Sequence, residues 1–377
     1  MRLVAINSSI VYSTIDDHRD TIDKDRLYVM PDILVSELAN VYGKGIINKD
    51  TNFEEVYKKY DGSSLDNKSL FCFRSGGIGD LMFMLVGIQN VKEKYPTCKI
   101  ISGSTRVNSF IFKASPFVDD IIFTPYPYDL IEDIDYHLYF EGIIEGNPLA
   151  EQINAYDLFL QYFNLDYNKI SGKKKIPVMN ISAVERKYIE EIFVRLDINI
   201  NEDIIVGIQV KTSSPIRNYS LDLTNKLILL LAKRNIKVIL LGSSTDGFDL
   251  TSKMKNIDCE NVFDFTKYST SIDRFMSIVN FCDIVIGADS SALHLAGAFG
   301  KYILGLFGAF DSDMRLKYYN NAIALQGVTN CSPCYLHGNI PCRNSLKDGS
   351  SACMNLIKPE LIEKALIDKL LPLVKKG

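Results

Sequence analysis

Two stretches of this 377-residue chain carry side chains whose types and spacing suit chemistry. The first is Ser75-Gly-Gly77-Ile-Gly79-Asp80, which follows the apolar run Ser69–Phe73 and precedes a helix-like run from Leu81 to Tyr95. A carboxylate at the start of a helix has a plain reading as an N-cap for free backbone N–H groups. It also suits a general base, because Asp80 at the carboxyl end of a strand faces the crevice where open α/β sheets bind ligands. The second stretch is Gly287-Ala-Asp289-Ser290-Ser291-Ala292-Leu-His294, after the apolar run Asp283–Ile286. Its small residues at a helix start would aim the N–H groups of Ser290, Ser291 and Ala292 at a phosphate, aided by the helix dipole. Asp289 could accept hydrogen bonds from hydroxyls, and His294 could add a hydrogen bond or a charge. The plainer alternative is a capped helix with a core-facing histidine.

Two further loops follow apolar runs in the same half. Lys211-Thr-Ser-Ser-Pro-Ile-Arg217-Asn-Tyr-Ser offers two cations that could neutralise a departing diphosphate, although single surface cations are more often simply solvated. Gly242-Ser-Ser-Thr-Asp246 could frame a base and ribose, with Asp246 on the ribose hydroxyls. The loop at Gly77 is a poor dinucleotide fingerprint. Met82 stands where G-x-G-x-x-G needs its third glycine, and no acidic residue ends the next strand, so NAD is not expected. No G-K-[ST] follows, so an ATP P-loop is absent too.

Eight cysteines are unevenly spread. Cys331, Cys334, Cys342 and Cys353 crowd one segment, opening with a C-x-x-C knuckle. In a reducing compartment that crowding suggests a closed structural iron or zinc site rather than disulfides. His337 could replace one ligand.

The elements that must position these groups alternate. After an obscure start holding a short strand and a helix near Asp32–Tyr42, strands are expected at Ser69–Phe73, Lys99–Ser102, Val118–Phe123 and Tyr136–Phe140. A helical region over 150–163 and 182–195 encloses the polar Ser171–Lys175, read as the passage between halves. Strands then resume at Ile204–Val210, Lys237–Leu241, Asp283–Ile286 and Tyr302–Phe307, with helices at Leu221–Arg234, Ser271–Phe281 and Ser290–Phe299. Such alternation implies parallel sheets flanked by helices. A last helix, Pro359–Lys375, has Ile362, Leu366 and Leu370 on one face.

Apolar residues make up 47% of the chain, enough for a sizeable core, and the net charge of −4 argues against nucleic-acid binding through a broad basic surface. No apolar run approaches the ~18 residues of a membrane span. No secretory signal is apparent, so a cytoplasmic protein is expected.

At these motifs the chain resembles glycosyltransferase family 9, the bacterial heptosyltransferases, over roughly residues 70–370. The resemblance implies a GT-B fold and an inverting transfer from a nucleotide-sugar, usually ADP-heptose. It implies Asp80 as base, Arg217 on the donor phosphate, and Asp289 through His294 on the donor's sugar and phosphates. Gly79, Lys211, Gly242 and Asp246 join the expected donor set. The final helix is expected to cross back to the first domain. Arg217-Asn-Tyr219-Ser220 replaces the family's usual Lys-x-Trp-Pro, and two serines replace its Ser-Gly, which bears on donor identity. The cysteine segment resembles a narrower branch with an iron finger that modifies autotransporter proteins, implying a protein hydroxyl as acceptor.

The expected organisation is an accessory region at 1–67 and a Rossmann-like acceptor domain at 68–195. A Rossmann-like nucleotide-sugar domain follows at 196–330, then the cysteine finger and returning helix at 331–377. Rival readings are a lipopolysaccharide core heptosyltransferase, a transferase or epimerase using another nucleotide-sugar, and a non-catalytic scaffold whose finger binds partners. A homo-oligomer stays open.

Overall fold

The protein is described here by a computed structural model covering residues 1–13, 19–24, 26–52, 57–145, 147–209, 211–243, 259–337, 340–347 and 349–376. It divides into two compact units, Met1–Ile143 with Phe159–Tyr167, and Ile144–Leu158 with Asn168–Gly377.

The first unit holds two four-stranded sheets. One is antiparallel, with β5 (Ile47–Asn52), β1 (Arg2–Ile6), β4 (Tyr28–Met30) and β9 (Tyr126–Pro127) in that spatial order. Strands β2 (Ile10–Ser13) and β3 (Arg19–Ile22) pair antiparallel with each other, and the helix Asp32–Tyr42 buries its own Val35 and Leu38. The other sheet is parallel, ordered β10 (Tyr136–Tyr139), β6 (Ser69–Phe73), β7 (Lys99–Ser104), β8 (Asp120–Phe123). Strand β6 is buried from Leu70 to Phe73, as a strand covered on both faces must be. The helix Ile78–Lys94 is buried without interruption from Leu81 to Val91, so it has no solvent stripe and is a core helix. Gly87 lets the ring of Phe163 lie directly on it.

The second unit carries six parallel strands ordered β13 (Val262–Asp264), β12 (Lys237–Leu241), β11 (Ile205–Gln209), β14 (Ile284–Ala288), β15 (Tyr302–Phe307), β16 (Ala322–Gln326). In chain order this is 3-2-1-4-5-6, the doubly wound arrangement, and its order reverses between β11 and β14. Ligands of such sheets bind at that reversal, beyond the strands' carboxyl ends. The helix Ala183–Arg195 belongs to this unit and packs on the helix Ile272–Phe281, with Glu185 and Arg274 paired at 2.8 Å.

Within the polar stretch read as the passage between halves, residues 171–174 are exposed and Lys175 is buried. It is 4% exposed, and its ammonium meets the Asp157 carboxylate at 2.6 Å and the Tyr318 hydroxyl at 3.0 Å. The final helical segment packs against the helix Leu221–Ala232, burying Ile362, Leu366 and Leu370 as their spacing requires. It is not the single α-helix to Lys375 expected from the sequence. The α turns of Pro359–Ala365 pass into a π segment, Leu366–Leu370, and a 3-10 turn, Leu371–Leu373. Pro372 has no N–H for the ladder and its ring would collide with an α-helical carbonyl, which accounts for the change.

Candidate functional site

Strand β14 is buried along its length and delivers Asp289 to the reversal point. Asp289 is 7% exposed and both its oxygens are engaged. His294 Nε2 lies 3.4 Å from Oδ1, while Arg315 Nε and Arg217 Nη1 lie 3.3 and 3.5 Å from Oδ2. Burial pushes the Asp289 carboxyl up, but the Arg315 charge, the His294 hydrogen bond and the Arg217 charge together hold it well below the usual carboxylate range. His294, 1% exposed, is backed by Tyr319, whose hydroxyl lies 3.4 Å from Nδ1 and is hydrogen-bonded in turn to the Tyr156 hydroxyl.

The helix Ser291–Ala298 starts after Ser290, which is extended at φ −158° and makes no side-chain cap. The Ser290 hydroxyl is buried and meets no hydrogen-bonding partner among the described residues. The first N–H groups of a helix have no partner within it. An acceptor-rich anion would therefore find both the hydroxyl and the backbone donors available here.

Arg217 ends a 3-10 turn, Pro215–Arg217, and reaches across to donate to the Asp289 carbonyl at 2.5 Å and to Ser213 Oγ at 3.2 Å. Its loop is braced by Asn218, whose Oδ1 accepts from Thr212 N at 2.9 Å and Thr212 Oγ1 at 3.0 Å. Lys211 is exposed, and together with Gln209, Thr212, Asn218, Gly287 and Ala288 it lines a small cavity at the reversal point. Gly242 is buried at the end of β12. Asp246 lies outside the described residues.

Asp80 lies in the first unit. It is not the N-cap: Gly77 is, and Leu81 N donates to the Gly77 carbonyl at 2.9 Å, which puts Asp80 in the first turn. Gly77 takes φ +75°, a conformation that favours glycine, and an added Cβ would strike Asp80 Oδ2. Arg74, buried, holds the carboxylate at 2.5 Å through Nη2 and the loop through Gly76 O at 3.0 Å. The Phe140 carbonyl accepts from its Nη1. Gly79 sits in the same first turn.

The four clustered cysteines are all free. Cys331 is exposed, and its sulfur is drawn to Thr329 Oγ1 at 3.4 Å and Asn344 Nδ2 at 3.3 Å, contacts that lower its thiol pKa. Cys353 is 5% exposed in the core beside Gly308 and Met354, and burial raises its thiol. Among the described residues no group of three or more His, Cys, Asp or Glu side chains gathers closely enough to hold a metal ion. No helix among them is long and apolar enough to cross a membrane.

Sequence reasoning missed Arg74, Arg315, Tyr156 and Tyr319. None stands in a spaced motif, and each gains its meaning from what the fold brings beside it.

No curated protein matches the chain. A structure of a family 9 glycosyl transferase from Veillonella parvula DSM 2008 aligns with TM-score 0.67 at 14% identity, covering 82% of this chain and 99% of that one. Escherichia coli ADP-heptose lipopolysaccharide heptosyltransferase II gives 0.62 at 14%, covering 81% and 99%. The iron-containing dodecameric glycosyltransferase TibC from enterotoxigenic E. coli H10407 gives 0.55 at 12%, covering 99% and 94%. These likenesses establish a shared GT-B-like α/β fold. Residues 153–341, just over half of the chain, match the family described as Glycosyltransferase family 9 (heptosyltransferase), and with its doubly wound second unit this makes the chain a member of that family and a glycosyltransferase.

Proposed function

We propose that the chain transfers a heptose from ADP-heptose to an acceptor hydroxyl with inversion of the anomeric carbon. The observation that carries this reading is the group at the end of β14: a carboxylate held by Arg217, Arg315 and His294 beside an uncapped helix start. The acceptor oxygen attacks the anomeric carbon as Asp80 takes its proton. The bond to the diphosphate oxygen breaks on the opposite face, and one displacement inverts the centre. Arg217, Lys211 and the N–H groups of Ser290, Ser291 and Ala292 meet the charge that builds on the departing diphosphate. Asp289 and His294 hold the sugar, Gly79 and Gly242 let the donor approach, and Asp246 is assigned to the ribose.

The acceptor we favour is a sugar hydroxyl of a lipopolysaccharide-type core, in keeping with the 0.62 alignment to heptosyltransferase II. A protein hydroxyl is the second reading, favoured by the TibC alignment, which takes in 99% of this chain including its N-terminal sheet and cysteine-rich segment. With that reading go iron or zinc on Cys331, Cys334, Cys342 and Cys353, and a homo-oligomer. Four thiolates are a ligand set that zinc or iron takes, and a bound ion would supply structural cross-linking to this loop-rich stretch. We place the reaction in the cytoplasm.

The test is Asp80→Asn. Transfer should fall by a factor of about 100 or more while ADP-heptose binding holds. Undiminished transfer would remove Asp80 from the reaction.

A further inference from the structure

The cysteine-rich segment is fastened to the two loops that carry the arginines of the donor site. Cys334 N and Tyr335 N both donate to the Ala309 carbonyl, at 3.0 and 2.9 Å. Ser351 Oγ donates to the Ile216 carbonyl at 2.7 Å, next to Arg217. Between these anchors, the His337 ring packs on Phe310 with centroids 4.9 Å apart, and the Arg315 guanidinium lies 4.8 Å from the same Phe310 ring. His337 is only partly buried, so a ligand can reach it. Four charged groups from four segments act on it: Arg315, Glu145, Asp289 and Arg217. Burial, then Arg315, push its pKa down from the ordinary imidazole value against the pull of Glu145 and Asp289. An imidazole ring can offer one donor and one acceptor, which suits a hydroxyl. The cations that suit a phosphate are already provided by Arg217 and Arg315.

We propose that His337 is a donor-site residue, supplied by the cysteine-rich segment, that hydrogen-bonds hydroxyls of the transferred sugar and so sets which sugar is accepted. This rests on the reading of the second unit as a nucleotide-sugar site. It gives the segment a task in the donor site whether or not it holds a metal.

The experiment compares wild type, His337→Ala and His337→Asn for binding of ADP and of ADP-heptose, for KM and kcat, and for metal content. His337→Ala should weaken ADP-heptose about tenfold, in KM more than in kcat, and leave ADP affinity within about twofold, the loss of one hydrogen bond to a sugar hydroxyl. His337→Asn should recover part of the loss. Equal weakening of ADP and ADP-heptose would show a structural role and overturn the proposal. So would unchanged ADP-heptose binding, or a loss of metal without a change in KM. If the wild type binds ADP-heptose and the variants match it, His337 alone is refuted. If the wild type binds no nucleotide-sugar, the reading of the site falls with it.

Discussion

Replacing Gly77 by alanine should inactivate the enzyme without emptying its donor site. The new Cβ would sit far inside the 3.4 Å of ordinary contact with Asp80 Oδ2, and 3.2 Å from Asp80 Cγ. Asp80 Oδ2 is already paired with Arg74 at 2.5 Å, so moving the carboxylate disturbs that pair. The carboxylate must retreat by about 1 Å, and a catalytic group misplaced by that much costs on the order of 100-fold in rate. A non-glycine residue at φ +75° adds roughly 1–2 kcal/mol of backbone strain, too little to unfold a chain of this size. The assay is steady-state transfer alongside equilibrium binding of ADP, whose proposed cationic contacts come from the second unit. We expect kcat down about 100-fold, ADP affinity unchanged and a small fall in Tm. Transfer within about threefold of wild type would refute the placement of Asp80 by Gly77 and weaken its assignment as base.

Other outcomes follow from the same geometry. Arg315→Met leaves Asp289 buried with one fewer cation and should destabilise by about 2–4 kcal/mol, while the double variant with Asp289→Asn should recover at least half of that in urea unfolding. Strict additivity would contradict the coupling. Asp135 holds β6 to β10 through Lys68 Nζ at 2.9 Å and Ser69 N at 2.9 Å, and these lower its pKa to about 2. A depressed carboxyl stabilises the fold above its unfolded pKa of about 3.9 and loses that contribution as pH falls through the folded value. Asp135→Asn should thus be less stable than wild type at pH 7, with the gap closing as pH falls through about 2, and a pH-independent gap would count against it. On the protein-acceptor reading, purified protein should carry about one iron or zinc per chain by elemental analysis, reduced in Cys334→Ser; a metal-free, fully folded wild type would dismiss the tetrathiolate reading.

The parallel strands were legible because each is a short apolar run bounded by glycine, proline or polar residues. Val262–Asp264 and Ala322–Gln326 escaped notice, being short and only partly buried at the two edges of the sheet. The antiparallel N-terminal sheet escaped for a different reason. Its edge strand reads INKDTN, and its pairings join residues as far apart as Arg2 and Asn52. The loop at Asp289 was found from its small residues and helix start, yet nothing local disclosed that Arg217 and Arg315 already occupy its carboxylate. A lone residue such as Arg315 carries no spacing signal. The C-terminal face was correct because Ile362, Leu366 and Leu370 recur at helical spacing, while the helix length failed at Pro372.

The most direct test of the account is a thermal-shift panel with ADP-heptose, ADP, UDP-, GDP- and CMP-sugars and NAD. A ligand at about 100 times its dissociation constant stabilises its host by roughly 2.7 kcal/mol, a readable rise in Tm. The account predicts a rise with ADP-heptose and ADP that is lost in Arg217→Ala. A response to another nucleotide-sugar alone would overturn the heptose donor, and no response from a folded protein would contradict the donor site itself.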